Sequence, residues 1–253
     1  MISFTSDQRF IVTGASSGIG ESVALLLSEL GATVIGIGRN QERLEGMKAK
    51  SKHPENVFLE QKDLAEDIAG LPAYVRGLKE KYGKFSGMVY CAGISSIVPV
   101  RMFEYDEAKR IFDVNYHAPM FMTKGIVDRR NNIGFGCSLV YLSSIDAVMS
   151  SKGQPLYSGS KAALAASVKA IAKEVAPFGI RMNSILPSMI KTPMTKCADL
   201  ESVLGRRESD ESAAYPFGWG EPADLANFIV FLLSDKSKFI TGQKYIYDSG
   251  ENF

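Results

Sequence analysis

Residues 157–161 read YSGSK and place a phenol, Tyr157, four residues before an ammonium, Lys161. The run that follows has small and apolar residues spaced as in a helix. If the helix includes both residues, they share one face a turn apart, so their polar groups can reach the same point. Such a pair is either a surface pair or half of an active site. A neighbouring positive charge favours phenolate and would bring the phenol closer to proton exchange at neutral pH.

A hydroxyl precedes this pair by thirteen residues. Ser144 ends the segment SLVYLSS at 138–144, which has the composition of a buried strand. In α/β proteins, ligands bind at the carboxyl ends of parallel strands. We therefore expect Ser144, Tyr157 and Lys161 to meet at that edge of a sheet.

The elements that must position these groups alternate along the chain. Apolar segments rich in β-branched residues predict strands at 10–14, 33–38, 57–61, 87–93, 138–144, 180–187 and 243–250. Amphipathic segments predict helices near 18–30, 41–50, 64–82, 103–114, 117–130, 157–176 and 222–234. This alternation predicts an α/β fold, a doubly wound parallel sheet of about seven strands with helices on both faces. We expect one domain over 1–253, with a substrate-side lid near 193–221.

Three glycines lie in the first turn from strand to helix. Gly14, Gly18 and Gly20 have the spacing GxxxGxG, which differs from the common GxGxxG dinucleotide fingerprint. Glycines here allow a tight turn and a close approach to a pyrophosphate, and the following helix N-terminus favours an anion. The alternative is a turn with a structural role only.

The second strand ends at Arg39 and Asn40, where dinucleotide folds meet the adenosine ribose. An acidic side chain at this place prefers a 2′-hydroxyl, whereas arginine accommodates a 2′-phosphate. Arg39, with the Ser16 hydroxyl beside it, predicts NADP(H) rather than NAD(H). The alternative is that Arg39 merely opens the next helix in solvent.

Taken together, the motifs resemble those of the classical short-chain dehydrogenase/reductase family, which has a Rossmann-type fold. The likeness covers essentially the whole chain. The matching features are TGASSGIG at 13–20, Asp63 and Leu64, CAG at 91–93, Asn115 in VNYHAP, Ser144, Tyr157, Lys161, and 187–192 after the sixth strand. Among its members, the chain looks most similar to bacterial 3-oxoacyl-acyl-carrier-protein reductases.

The resemblance implies a role for each matching residue. Tyr157 would be the general acid in carbonyl reduction, Ser144 would hydrogen-bond the substrate oxygen, and Lys161 would hold the nicotinamide ribose. Asn115 would anchor a water chain that leads to Lys161. The cofactor would contact Gly14, Ser16, Ser17, Gly18, Ile19, Gly20, Arg39, Asn40, Asp63, Leu64, Cys91, Ala92, Gly93, Tyr157, Lys161, Pro187, Ile190 and Thr192.

Three positions depart from the family pattern. Cys91 stands where the family usually has the asparagine of NAG, so a side-chain hydrogen bond between central strands is missing or weakened. Ser188 replaces the glycine of the PG motif, and DSG at 248–250 replaces the more usual DGG. None of these changes removes a proton-transfer group.

Composition excludes several other classes of protein. Lys plus Arg number 29 and Asp plus Glu 28, so the chain has no basic field suited to nucleic acid or to a membrane surface. Cys91, Cys137 and Cys197 lack CxxC spacing, which is typical of reduced thiols, and we expect no metal site. The N-terminus has no apolar signal segment, and no stretch is apolar enough to span a membrane. We therefore expect a cytoplasmic protein.

The substrate stays open at this level. We expect an NADP(H)-dependent oxidoreductase that acts on a carbonyl or secondary alcohol, such as a 3-oxoacyl thioester, with a polyol, sugar or steroid-type substrate as the alternative. A carrier-protein substrate predicts a basic patch at the site entrance. Arg129, Arg130, Arg206 and Arg207 are candidates for it, but we favour their interpretation as ordinary surface charge. A nicotinamide-binding sensor or partner-binding module without catalysis is the alternative from another class. The family's subunit interface and the alanines of helix 157–176 predict a homotetramer or homodimer.

Overall fold

A computed structural model describes residues 1–195 and 215–251 of the chain. Its centre is one sheet of seven parallel strands in the order β3-β2-β1-β4-β5-β6-β7. The strands are β1 (Arg9–Thr13), β2 (Thr33–Gly38), β3 (Val57–Gln61), β4 (Gly87–Tyr90), β5 (Ser138–Leu142), β6 (Arg181–Pro187) and β7 (Lys244–Tyr247). The order reverses direction between β1 and β4, which creates a crevice at the carboxyl ends of these strands. The predicted doubly wound parallel sheet is confirmed.

Helices cover both faces of the sheet. They are α1 (Gly18–Glu29), α2 (Gln41–Lys50), α3 (Leu71–Tyr82), α4 (Tyr105–Phe112), α5 (Ala118–Ile126), α6 (Pro155–Val175) and α7 (Pro222–Leu233). Apolar side chains of α1, α2 and α7 form one core layer against the sheet. Those of α3, α5 and α6 form the other layer. Strands β2, β5 and β6 are buried along their whole length because they are covered on both faces.

Some bounds differ from those that the sequence predicts. The helix expected over 64–82 begins at Leu71, because carboxylates in the preceding segment form local turns: Asp63 accepts the N–H of Ala65 and Asp67 that of Gly70. The strand expected over 87–93 ends at Tyr90. The strand expected over 243–250 ends at Tyr247 and is followed by a turn.

A π-helical segment joins α4 and α5 where the sequence predicts two separate helices. This segment, Asp113–His117, makes the two helices continuous, and the second of them ends at Ile126 rather than near 130. Such a widened turn shifts the side chains within it relative to a regular α-helix. Asn115 lies in this turn and is fully buried.

Of the region predicted as a lid, 193–195 and 215–221 are described, and the prediction for 196–214 concerns residues outside the described part. Within the described residues, no helix is long and apolar enough to cross a membrane.

Candidate active site

A cleft of about 280 Å³ opens at the carboxyl ends of the strands. One wall is the glycine loop between β1 and α1, and the other is the loop that follows β6. A side chain built on Gly18 would meet the Thr192 side chain at 3.2 Å, so the two loops nearly touch. Of the predicted site residues, the cleft is lined by Gly14, Ser16, Ser17, Gly18, Ile19, Gly20, Arg39, Asp63, Leu64, Cys91, Ala92, Gly93, Ser144, Tyr157, Lys161, Pro187, Ile190 and Thr192.

The glycine loop has a shape that side chains would prevent. Gly14 has φ of 69°, and a Cβ there would lie 3.0 Å from the backbone nitrogen of Ala92. A Cβ on Gly20 would lie only 2.3 Å from the carbonyl oxygen of Gly14. The first turn of α1 therefore packs directly against the end of β1, as a glycine-rich phosphate-binding turn requires.

The amino terminus of α1 faces this cleft. Ser17 occupies the N-cap position, and its side chain makes no capping hydrogen bond to the helix. The first N–H groups of a helix have no intrahelical acceptor and carry a partial positive charge, so they can bind an anion.

Two cationic side chains lie at the end of the cleft beside β2 and β3. Arg39 is exposed and makes no salt bridge to any described residue, and Ser16 lies against the neighbouring Gly38. Lys62 also lines the cleft, with its ammonium 5.7 Å from the centre of the Tyr74 ring. Asn40 lies outside the cleft lining; its side chain accepts the N–H of Arg43 at 2.8 Å and caps α2.

The turn after β4 depends on a residue that the sequence did not single out. The hydroxyl oxygen of buried Thr13 accepts the N–H groups of both Cys91 and Ala92, each at 3.1 Å. These two bonds take the place of strand pairing beyond Tyr90. Burial raises the pKa of the Cys91 thiol to about 12. The thiol is therefore protonated at neutral pH.

The hydroxyls of Ser144 and Tyr157 meet in the cleft. Ser144 lies just after β5, and Tyr157 lies in the first turn of α6, which begins two residues earlier than the sequence predicts. Burial raises the pKa of Tyr157 to about 12, the hydrogen bond with Ser144 lowers it, and the charge of Asp146 raises it. We expected the pKa of Tyr157 to be lowered toward the operating range, and that prediction is wrong, because burial raises the pKa.

Asp146 is a charged residue close to Ser144 and Tyr157 that the sequence analysis did not single out. Ser144 Oγ accepts the N–H of Asp146 at 3.1 Å and donates to its Oδ2 at 3.4 Å. Asp146 Oδ1 accepts the N–H of Ser151 at 2.9 Å. This local turn holds the Ser144 hydroxyl at the mouth of the cleft. The signal in the sequence is an acid two residues after the serine.

Lys161 is buried beside the phenol. Its Nζ lies 5.8 Å from the centre of the Tyr157 ring and donates to the carbonyl oxygen of Leu142 at 2.9 Å. Ser143 fixes the helix here by donating to the carbonyl oxygen of Lys161. With 5% of its surface exposed, the ammonium is poorly hydrated, and burial lowers the pKa of Lys161 to about 8. The group can thus exchange a proton near neutral pH.

Asn115 does not line the cleft but lies next to it. Its side chain accepts the N–H of Ile94 at 3.0 Å, donates to the carbonyl of Ile94 at 2.9 Å and donates to Ser160 Oγ at 3.1 Å. A Cβ on Gly93 would lie 3.2 Å from Lys161 Nζ and 3.3 Å from Asn115 Oδ1. The amide and the ammonium thus both adjoin Gly93.

The loop after β6 is held at several points. The N–H of Thr192 donates to Thr195 Oγ1, which itself donates to the carbonyl of Ile190 at 2.7 Å. Residues 189–191 pair with Gly220, which fixes the loop to the segment before α7. Tyr215 and Trp219, from the region predicted as a lid, pack against Met189, whereas Phe217 is exposed.

Arg129 and Arg130, named as candidates for a basic patch at the site entrance, do not lie there, in agreement with their interpretation as ordinary surface charge. They follow α5 next to the Phe85–Asn132 bridge, near the amino ends of β4 and β5, at the end of the sheet opposite the cleft. Arg130 also forms an ion pair with Asp128 at 2.6 Å. Arg206 and Arg207 lie outside the described residues. Among the described residues, no group of three or more His, Cys, Asp or Glu residues is placed to hold a metal ion.

Comparison with known proteins adds to these observations. A family model described as enoyl-(acyl carrier protein) reductase matches residues 14–252. The 3-oxoacyl-acyl-carrier-protein reductase of Rickettsia conorii is 32% identical over 242 residues, which cover 95% of each chain. The NADP-dependent (R)-specific alcohol dehydrogenase of Lentilactobacillus kefiri is 32% identical over 95% of this chain and 94% of its own. A solved structure of a short-chain type dehydrogenase/reductase from Mycobacterium ulcerans superposes with a TM-score of 0.86 at 31% identity, over 99% of this chain and 91% of its own.

Proposed function

The chain belongs to the short-chain dehydrogenase/reductase family and is an oxidoreductase with a nicotinamide cofactor, and we propose that it reduces a carbonyl with NADPH, with Tyr157 as the proton donor. The observation that carries this proposal is one cleft that contains the glycine loop, Arg39, Ser144, Tyr157 and Lys161. The reverse reaction, oxidation of a secondary alcohol, uses the same groups.

The residues of the cleft fit a phosphorylated dinucleotide. The free N–H groups at the start of α1 suit the pyrophosphate, because the glycine loop lets it approach the backbone. Arg39 and Lys62 supply positive charge at the adenosine end, which favours a 2′-phosphate over a hydroxyl. Pro187, Ile190 and Thr192 would contact the nicotinamide half. When bound, the cofactor supplies the hydride.

Tyr157 and Lys161 divide the proton chemistry between them. With a pKa of about 12, Tyr157 keeps its proton at neutral pH and is ready to donate it to a carbonyl oxygen held by Ser144. The Lys161 ammonium lies 5.8 Å from the ring centre, close to the phenolate that this transfer leaves. Because the pKa of Lys161 is about 8, it can also pass a proton back from solvent near neutral pH.

We infer that the substrate side of the cleft favours an apolar substituent on the carbonyl. Met189 lies inside the loop that carries the predicted nicotinamide contacts and forms a small apolar cluster with Ile97, Tyr215 and Trp219 next to the cleft. The relatives named as 3-oxoacyl-acyl-carrier-protein reductases and alcohol dehydrogenases support ketone substrates of this kind. A polyol or sugar fits this cluster less well.

A screen for NADPH oxidation tests the proposal. It compares acetoacetyl thioesters, apolar cyclic and acyclic ketones, keto sugars and ketosteroids, followed by the loss of NADPH absorbance. We expect turnover with a thioester or an apolar ketone and little with keto sugars. NADPH binding without turnover of any substrate would instead favour the non-catalytic alternative, a sensor or partner-binding module.

We also infer a homo-oligomer, with α6 at a subunit interface. Ala166 and Ala170 are exposed on this helix, on the side away from the sheet, and such small residues allow a second helix to approach closely. Sedimentation at micromolar concentration tests this inference, and a monomer would contradict it.

A further inference from the structure

Two of the departures from the family pattern, Ser188 and Ser249, make hydrogen bonds that join neighbouring segments beside the cleft. Glu251 accepts hydrogen bonds from two hydroxyls: that of Ser188 through Oε2, and that of Tyr215 through Oε1 at 3.1 Å. Ser249 Oγ accepts the N–H of Phe217 at 2.9 Å. We refer to Ser188, Tyr215, Ser249 and Glu251 as the tail clamp.

The clamp joins three segments that are distant in sequence. Ser188 belongs to the loop after β6, and its N–H donates to the carbonyl oxygen of Tyr247 in β7. Tyr215 belongs to the segment before α7. Ser249 and Glu251 belong to the turn that follows β7. A single carboxylate thus fixes the distance between the loop after β6 and the Tyr215 side chain.

The turn after β7 is shaped to present Glu251. The N–H of Glu251 donates to the carbonyl of Asp248 at 3.0 Å, and the two residues between them have positive φ, 58° for Ser249 and 80° for Gly250. These values define a type I′ turn. Serine is strained at such a position whereas glycine is not. What serine adds in return is the hydroxyl that bonds to Phe217.

The clamp lies against the substrate side of the cleft. Ser188 lines the cleft, and the next residue, Met189, packs with Tyr215 and Trp219. The Tyr215 ring meets Trp219 edge to face, with ring centres 6.4 Å apart. Moving the Tyr215 hydroxyl would therefore move this cluster and the backbone beside Pro187.

We propose that Glu251 is a positioning residue for the reaction. It fixes the loop after β6 and the side chains of Tyr215 and Trp219 in the positions that a bound substrate requires. This inference rests on the proposed function, because that loop carries the predicted nicotinamide contacts. A carboxylate offers acceptors on both oxygens, so it can receive both hydroxyls. Glutamine keeps one acceptor oxygen and presents an NH2 donor in place of the other, so Glu251→Gln forces one hydroxyl to reverse its role and replaces both charge-assisted bonds with weaker neutral ones.

Trp219 provides a readout that does not depend on activity. It is the single tryptophan of the chain and is 9% exposed. Acrylamide quenching of its fluorescence is compared in the wild type, Glu251→Gln, Ser188→Gly and Ser249→Gly, with Glu29→Gln as an exposed control on α1. We expect stronger quenching and a red-shifted emission in the three clamp variants and no change in the control. Ser249→Gly relaxes a strained backbone, so it keeps the fold while losing the bond to Phe217.

Kinetics then separate positioning from general stability. We expect Glu251→Gln to lower kcat/KM for the carbonyl substrate roughly tenfold, through both a higher KM for that substrate and a lower kcat. The dissociation constant of NADPH should change little, because most of its predicted contacts lie at the far end of the cleft. Because Ser188 and Glu251 share one bond, Ser188→Gly combined with Glu251→Gln should lower kcat/KM by less than the product of the two separate effects.

Different results would overturn the proposed function and the proposed role of the tail clamp. If the wild-type chain turns over no carbonyl substrate, the proposed function is overturned, and the positioning role with it. If the wild type is active but Glu251→Gln has unchanged quenching and unchanged KM and kcat, the clamp alone is overturned. Independent, multiplying effects of the Ser188 and Glu251 substitutions would also contradict it.

Discussion

Replacing Lys161 with methionine is expected to stabilise the fold at neutral pH while it abolishes the reaction. Burial lowers the pKa of Lys161 from its usual 10.5 to about 8. At 1.4 kcal/mol per pKa unit, holding this ammonium charged in the folded state costs about 3 kcal/mol near neutral pH. The lost hydrogen bond to the Leu142 carbonyl offsets about 1 kcal/mol. We therefore expect the free energy of unfolding to rise by about 2 kcal/mol.

The pH dependence of this gain identifies its cause. Since the folded pKa of Lys161 lies below the unfolded one, the unfolded chain binds more protons between about pH 8 and 10.5. Wild-type stability therefore rises relative to that of Lys161→Met through this window. From about pH 7 to about pH 10 the advantage of the variant should shrink by about 2 to 3 kcal/mol and so largely disappear.

Urea unfolding at fixed protein concentration measures both proteins at the two pH values. Lys169→Met, which removes an exposed lysine of the same helix, is the matched control and should show no gain from relieved burial. A stability difference between Lys161→Met and the wild type that is the same at both pH values would refute the claim that burial lowers the pKa of Lys161.

Three further substitutions test the cofactor site and the proton donor. Arg39→Ala should lower kcat/KM with NADPH roughly tenfold to a hundredfold and leave NADH unaffected; an equal loss with both cofactors would count against a 2′-phosphate site. Asp146→Asn removes a charge that raises the pKa of Tyr157, so the rise of alcohol oxidation with pH should move to lower pH; an unmoved profile would exclude this influence. Gly20→Ala places a methyl 2.3 Å from the Gly14 carbonyl, so NADPH titration should show a large loss of affinity, and wild-type affinity would contradict the close packing of the loop.

Much of the fold follows from the pattern of residues alone. Strands 33–38 and 57–61 and helix 41–50 have the bounds that the sequence predicts. These elements carry strong periodic signals, and Asn40 supplies a capping side chain at the start of the helix. The bounds failed where a local interaction competes with the pattern. Thr13 ends pairing after Tyr90, and the turns at Asp63 and Asp67 delay α3 until Leu71.

The contents of the cleft were predictable, but their electrostatics were not. Spacing and resemblance together place Ser144, Tyr157 and Lys161 in one cleft. The direction of the Tyr157 pKa shift depends on how deeply the phenol is buried and on the Asp146 carboxylate, which are properties of the folded structure. Burial also lowers the pKa of Lys161, which spacing alone does not reveal.

The tail clamp shows the same limit. Sequence comparison marks Ser188 and the serine of DSG as unusual for the family, but not as connected. Their connection requires the turn after β7 to bring Glu251 against the loop after β6, a contact between residues 63 positions apart. Pairwise contacts of this kind cannot be inferred from local pattern.

The central claim is that Tyr157 donates the proton to a carbonyl that NADPH reduces. The most direct measurement compares wild-type and Tyr157→Phe protein with one carbonyl substrate, following NADPH oxidation and, separately, the dissociation constant of NADPH. Removing only the hydroxyl should abolish turnover while NADPH affinity stays nearly unchanged. Turnover at the wild-type rate in Tyr157→Phe would contradict the account.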